Sequence, residues 1–131
     1  MLYRKLFATV ILALVSTEAM SEWVMIASNK KRTTYYDDSR IRTLNNTVKM
    51  WILTDYKITQ ERNGFRYKST ETFDEFDCAN IRRRALYVKA YSQNMKNGED
   101  VGEEYPEDNK WLKLFPNSFG EVTWKIACSR K

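Results

Sequence analysis

Apolar and polar side chains alternate along most of this chain, and the alternation breaks at short polar pairs that tolerate positive φ. These are Asn45-Asn46, Asn63-Gly64 and Asn97-Gly98, with a further polar turn from Asn29 to Arg32. The intervals between them predict six strands: Trp23 to Ser28, Thr33 to Asp37, Val48 to Gln60, Phe65 to Phe76, Arg84 to Ser92 and Glu99 to Tyr105. Joined in order by hairpins, they form an antiparallel meander. In the third strand one parity carries Val48, Met50, Ile52, Tyr56 and Ile58, and this side is expected to face a core. The other parity carries Lys49, Trp51, Leu53, Asp55 and Lys57, so Trp51 and Leu53 call for a partial cover from a loop or a partner subunit. In the fifth strand Leu86, Val88 and Ala90 share one face, with Tyr87, Lys89 and Tyr91 opposite.

Past Pro116 the period lengthens. Ser118-Phe119-Gly120-Glu121 fits a capping box, in which the serine hydroxyl and the glutamate carboxylate each satisfy a free backbone N–H at a helix start. Phe119, Val122 and Ile126 then follow at helical spacing, and Trp124 and Cys128 stand one turn apart. The fold class expected is therefore α+β, an antiparallel sheet of about six strands with a C-terminal helix.

The N-terminal segment obeys neither period. Arg4 and Lys5 precede an apolar run from Leu6 to Val15, and small or polar residues follow. This is the layout of a secretory signal peptide over residues 1–21, with cleavage favoured after Ser21 and the alternative after Ala19. The apolar run falls well short of the ~20 residues that span a bilayer, so no transmembrane segment is expected. The first cysteine is Cys78, far from the cut, and no lipid anchor is expected either. The predicted location is the periplasm, the medium or the cell surface. Removing Arg4, Lys5 and Glu18 with the leader takes 22 basic and 17 acidic side chains to 20 and 16, a net charge of +4. A remainder of this size makes one domain with one core, spanning residues 22–131.

Export changes the reading of the cysteines. Cys78 and Cys128, in an oxidising compartment, are expected to form one disulfide that ties the helix to the end of the fourth strand. The chain contains no histidine, which removes Ser/His and Cys/His catalysis and the usual zinc and copper ligand sets. Asp37-Asp38 offers no carboxylate pair, because on a strand the two side chains would point to opposite faces, and it is read instead as a turn leading into Ser39. The acidic groups Asp74, Glu75, Asp77 and Glu99, Asp100, Glu103, Glu104 match no calcium-loop spacing and read as a solvated edge. Arg82-Arg83-Arg84 beside Tyr87, Lys89 and Tyr91 is the one combination that resembles a nucleic-acid platform. The modest charge and the export signal argue instead for acid-paired arginines and no nucleic acid. No enzyme activity, cofactor or metal is expected.

Trp23, Tyr36-Asp37, Val48-x-x-Trp51, Tyr67-x-Ser69, Asp77-Cys78, Pro116-x-Ser118 and the closing Cys128, taken in order, resemble the surface-adhesin protein E family of small exported bacterial proteins. The resemblance spans nearly all of the chain after the leader. It implies the same fold, an antiparallel sheet with a helix tethered by a disulfide. It also implies a non-enzymatic adhesin that binds host plasminogen and extracellular-matrix glycoproteins such as vitronectin and laminin. The matching positions are core, turn and cysteine residues, so they carry over a fold and not a site. On the adhesin reading the binding residues are exposed Tyr87, Lys89, Tyr91 and Lys131, the last because a terminal lysine offers both an ammonium and a carboxylate to a kringle pocket. A homodimer through the aromatic face or a strand edge is a further expectation. The rival reading is a periplasmic envelope or inhibitor module with a bacterial partner.

Overall fold

The computed structural model describes residues 21–130. The predicted leader, Ser21 apart, and Lys131 lie outside the described residues. Six strands run in sequence order across one antiparallel sheet: β1 (Trp23–Ser28), β2 (Arg32–Leu44), β3 (Thr47–Arg62), β4 (Phe65–Asp77), β5 (Arg82–Tyr91) and β6 (Asp100–Glu104). A short β7 (Leu112–Lys113) pairs with the first half of β5, while β6 pairs with its second half, so the two share one edge. The alternation could not show β7, since two residues have no period. Helix α1 (Phe119–Ser129) closes the chain.

The predicted turns form for the expected reason. Asn45 and Asn63 take φ of 54° and 53°, and Gly64 follows at 79°, so the β3–β4 hairpin uses the Asn-Gly pair that suits the twist of its strands. Between β5 and β6 the loop is longer than a tight turn. A 3₁₀ turn, Asn94–Lys96, precedes Asn97-Gly98, and Ser92 N–H bonds the Glu99 carbonyl at 2.9 Å to close it. Gly98 sits at φ 75°, where a Cβ would stand 2.2 Å from Ser92 Oγ, so only glycine fits.

Strand β2 continues through Asp37-Asp38 to Leu44, correcting the expectation of a turn there. Its pairing with β3 slips between Tyr36 and Ile41, and the bulge inserts Asp37 to Arg40 without ending the strand. A second bulge, at Leu86, lets Ala85 oppose Asp74 and Tyr87 oppose Phe73.

The core lies between one sheet face and α1. Val48, Met50, Ile52 and Phe76 are buried there with Tyr36 and Ala127. Ile58 departs from the expected parity and is 72% exposed, because β3 runs past a bulge into an overhanging hairpin beyond the helix. On α1 the inward residues are Thr123 and Ala127, with Trp124 partly buried beside them. Val122 faces outward. Ser118 caps the helix by accepting from Glu121 N–H at 3.2 Å, while the Glu121 carboxylate reaches Asn117 N–H at 3.3 Å, one residue before the expected donor. Cys78 and Cys128 are bonded, with Cα atoms 5.6 Å apart.

Candidate binding face

The face turned away from α1 collects what the opposite parity of β3 foreshadowed. Cross-strand register aligns Trp51 with Phe73 and Phe73 with Tyr87, and Tyr105 follows at the end of β6. Their rings form a continuous row: Trp51 stacks on Phe73 with centroids 4.8 Å apart, meets Tyr87 edge-on at 5.9 Å, and Tyr87 lies 4.9 Å from Tyr105. Aromatic pairs in such offset and edge geometries attract beyond their burial. Tyr105, at 68% exposure, leaves the row open to solvent at one end.

Cations stand on this row. The Arg40 guanidinium lies 4.8 Å from the Trp51 centroid and 6.0 Å from that of Trp23. It is held there by Asp37, a fully buried carboxylate that also accepts from the Ser39 hydroxyl at 2.6 Å and the Ser39 and Glu22 amides at 2.9 and 3.1 Å. Burial pushes the Asp37 carboxyl up, but the Ser39 hydroxyl, Arg40 and the two amides outweigh it and hold it below its ordinary value. Lys96 lies 5.7 Å from Trp23 and 5.9 Å from Tyr91, and pairs with Glu71.

The cover expected over Leu53 is the β5–β6 loop. Asn94 donates to the Asp55 carboxylate at 2.7 Å, Met95 N–H to the same oxygen at 3.0 Å, and Ser69 bridges the Gln93 carbonyl and Lys96 N–H. Leu53 is thereby fully buried on the face opposite the core. The loop covers only one end, and the aromatic row stays open.

Of the residues singled out from sequence, Tyr87, Lys89 and Tyr91 come together on this face. Two are already partnered: Tyr87 donates to Glu103 at 2.7 Å, which raises its pKa with help from burial, and Lys89 pairs with Asp100 at 3.1 Å. They offer a ligand ring faces and alkyl stems more than free polar atoms. Lys131 lies outside the described residues. Arg40, Phe73 and Lys96 were not singled out, and Trp23 entered only through the family resemblance. Arg40 lay beyond the predicted end of its strand, and Lys96 in what read as a plain turn.

The three consecutive arginines are acid-paired. Arg82, Arg83 and Arg84 bond Asp77, Asp74 and Glu75 at 2.8, 3.0 and 2.6 Å, one carboxylate each. Arg82 and Arg84 further flank the Trp111 ring, at 4.8 and 4.3 Å from its centroid. The acidic group read as a solvated edge is therefore buried: Asp74, Glu75 and Asp77 are 2%, 6% and 7% exposed. Asp37 and Asp38 also go to separate arginines, Asp38 to Arg130 at 2.6 Å. Among the described residues no group of three or more His, Cys, Asp or Glu side chains is placed to hold a metal ion, and no helix is long and apolar enough to cross a membrane.

The sequence pattern described as surface-adhesin protein E matches residues 23–129, nearly the whole described chain. The chain belongs to that family. Two solved structures of Haemophilus influenzae protein E share the fold. One superposes with a TM-score of 0.60 at 17% identity, covering 87% of this chain and 89% of that one. A second crystal form gives 0.62 at the same identity, covering 87% and 92%. No curated protein matches the chain. As a member of this adhesin family it is an exported, non-enzymatic bacterial protein. At 17% identity the likeness carries the fold alone.

Proposed function

We propose that this chain is an adhesin that binds a protein ligand through its aromatic and cationic sheet face. The carrying observation is the row Trp51–Phe73–Tyr87–Tyr105, left open beside Arg40, Lys89 and Lys96. Half-buried aromatics beside fixed cations are the side chains that dominate protein interfaces, since they bury much area with little loss of side-chain freedom. Host plasminogen and the matrix glycoproteins vitronectin and laminin are the ligands that family membership suggests. Display at the cell surface or release into the medium is part of the same reading.

Binding of the purified protein to immobilised vitronectin, laminin and plasminogen tests it. Tyr105→Ala combined with Lys89→Glu should weaken capture by roughly tenfold or more while leaving the fold intact. Undiminished binding would move the site elsewhere. Protease digestion of the protein on intact cells, or its recovery in the medium, is the expected result for its location. Full protection until the outer membrane is opened would turn the search to a periplasmic partner. A homodimer through the same face predicts a mass in solution scattering that doubles as concentration rises, and a constant monomeric mass would exclude it.

A further inference from the structure

The helix-side face carries a second feature. Helix α1 covers the Val48, Met50 and Phe76 end of the core and stops short of the other end, where a cavity of about 590 Å³ opens between the sheet, the β3–β4 hairpin and the first turn of the helix. That volume is typical of small-molecule sites.

Its floor is unusual for the inner face of a sheet. Thr34 pairs with Thr54, Thr54 with Thr70, and Thr70 with Ala90, so three hydroxyl-bearing side chains cross β2, β3 and β4 in one straight row. Strand spacing sets them about 4.8 Å apart, comparable with the width of a pyranose ring. Valine would fill a strand equally well at each position and leave the floor dry. Aromatic rings stand beside the row: Tyr56 and Tyr67 meet edge to face at 5.8 Å, and Phe65 at the hairpin is 57% exposed.

Both signs of charge line the cavity: Arg32, Arg62 and Arg83 line it together with Asp74 and Glu104, while the Glu103 carboxylate is turned to Tyr87 on the other face. A cation would gain from the carboxylates and lose to the guanidinium groups, and an anion the reverse. A neutral ligand that both donates and accepts hydrogen bonds gains from both sets. At the inner end, Arg83 holds one Asp74 oxygen at 3.0 Å, while the other, Oδ1, has no hydrogen-bond partner although the residue is 2% exposed. A buried acceptor left unpaired costs stability, and one more donor would remove that cost.

We propose that this cavity binds a neutral, polyhydroxylated ligand of the saccharide class, of roughly two rings, with its hydroxyls on the threonine row and the Asp74–Arg83 pair and a ring face against Phe65 or Tyr67. The site lies on the opposite side of the sheet from the proposed adhesion face and is independent of it.

The test is an amide NMR titration of the isotope-labelled purified protein with lactose, maltose and diacetylchitobiose in turn. A sulfated heparin disaccharide serves as the anionic control and lysine methyl ester as the cationic one. At least one neutral disaccharide should shift the amides of Thr34, Thr54 and Thr70 with a Kd on the order of 1 mM or tighter, and neither control should do so more strongly. Thr70→Val, nearly the same in shape, and Asp74→Asn should each weaken that Kd about tenfold, which corresponds to about 1.4 kcal/mol. Should Asp74→Asn fail to fold, Thr70→Val decides alone. Shifts from a control exceeding those from every neutral sugar, the absence of shifts at these amides with all three sugars, or an unchanged Kd in Thr70→Val would each overturn the proposal.

Discussion

The indole N–H of Trp124 donates to the main-chain carbonyl of Asp77 at 2.7 Å, one residue before the half-cystine that bonds Cys128. Trp124 and Cys128 are a turn apart on α1, so the helix meets the end of β4 at two adjacent points, one covalent and one polar. An eleven-residue helix is marginal in isolation and depends on such ties and on packing. Trp124→Phe keeps most of the ring but leaves the Asp77 carbonyl short of its donor. We expect a loss of about 1–2 kcal/mol in denaturant unfolding, with the m-value unchanged. A midpoint equal to the parent's would show that the hydrogen bond contributes nothing net.

The covalent tie closes a loop with a sequence separation of 50. In the chain-entropy account this removes about 4 kcal/mol of freedom from the unfolded state. The double change Cys78→Ser and Cys128→Ser should lower unfolding free energy by an amount of that order. The far-UV spectrum should keep its strand signal, because the sheet register does not pass through either cysteine. Loss of the strand signal together with the helix would show that the sheet cannot stand without its tether.

Asp37 combines complete burial with bonds from Ser39, Arg40 and the Glu22 amide. Its carboxyl is held below the ordinary value, so its stabilising contribution is present above the unfolded-state pKa of 3.8 and fades as pH falls through the lower folded value. Asp37→Asn should therefore cost about 2 kcal/mol at neutral pH, and the cost should shrink in strong acid. It should also release Arg40 from Trp51, read as a change in tryptophan fluorescence. A cost that stays constant from neutral pH into strong acid would refute the assignment.

That cluster also marks where the sequence stops being readable. Hairpin pairs such as Asn63-Gly64, the parity of β3 and the Ser118 cap all depend on neighbours a few residues away, and they predicted the meander, the buried face and the helix start. The bulge from Asp37 to Arg40 depends on β3 and on the Glu22 main chain, both distant in sequence, so Asp37-Asp38 looked like a turn. Burial of Asp74, Glu75 and Asp77 was hidden for a similar reason. Each is matched by an arginine on β5, and only the cross-strand register shows the matching. Tyr87, Lys89 and Tyr91 could be placed on one face because they alternate within one strand. Arg40 and Lys96 reach the same face from a bulge and a loop, where no period exists.

Asp74 should behave in the opposite sense to Asp37. Burial raises its carboxyl to about 6 against the attraction and hydrogen bond of Arg83, which only partly offset it. The folded protein thus keeps this proton over a range in which the unfolded chain, at 3.8, has already released it. The group favours the fold most below the unfolded pKa, and that advantage is lost progressively as pH rises to about 6, after which the penalty is constant. The swing is roughly 2–3 kcal/mol, the linkage equivalent of a shift of about two pH units. Asp74→Asn cannot titrate and should lack the swing. Unfolding free energies of parent and variant measured at about pH 4 and again at about pH 8 give the comparison directly. The parent should lose ground to the variant between the two by that amount. A difference that does not change with pH would mean that Arg83 holds the carboxylate ionised throughout, and that the pair is a fixed ion bridge.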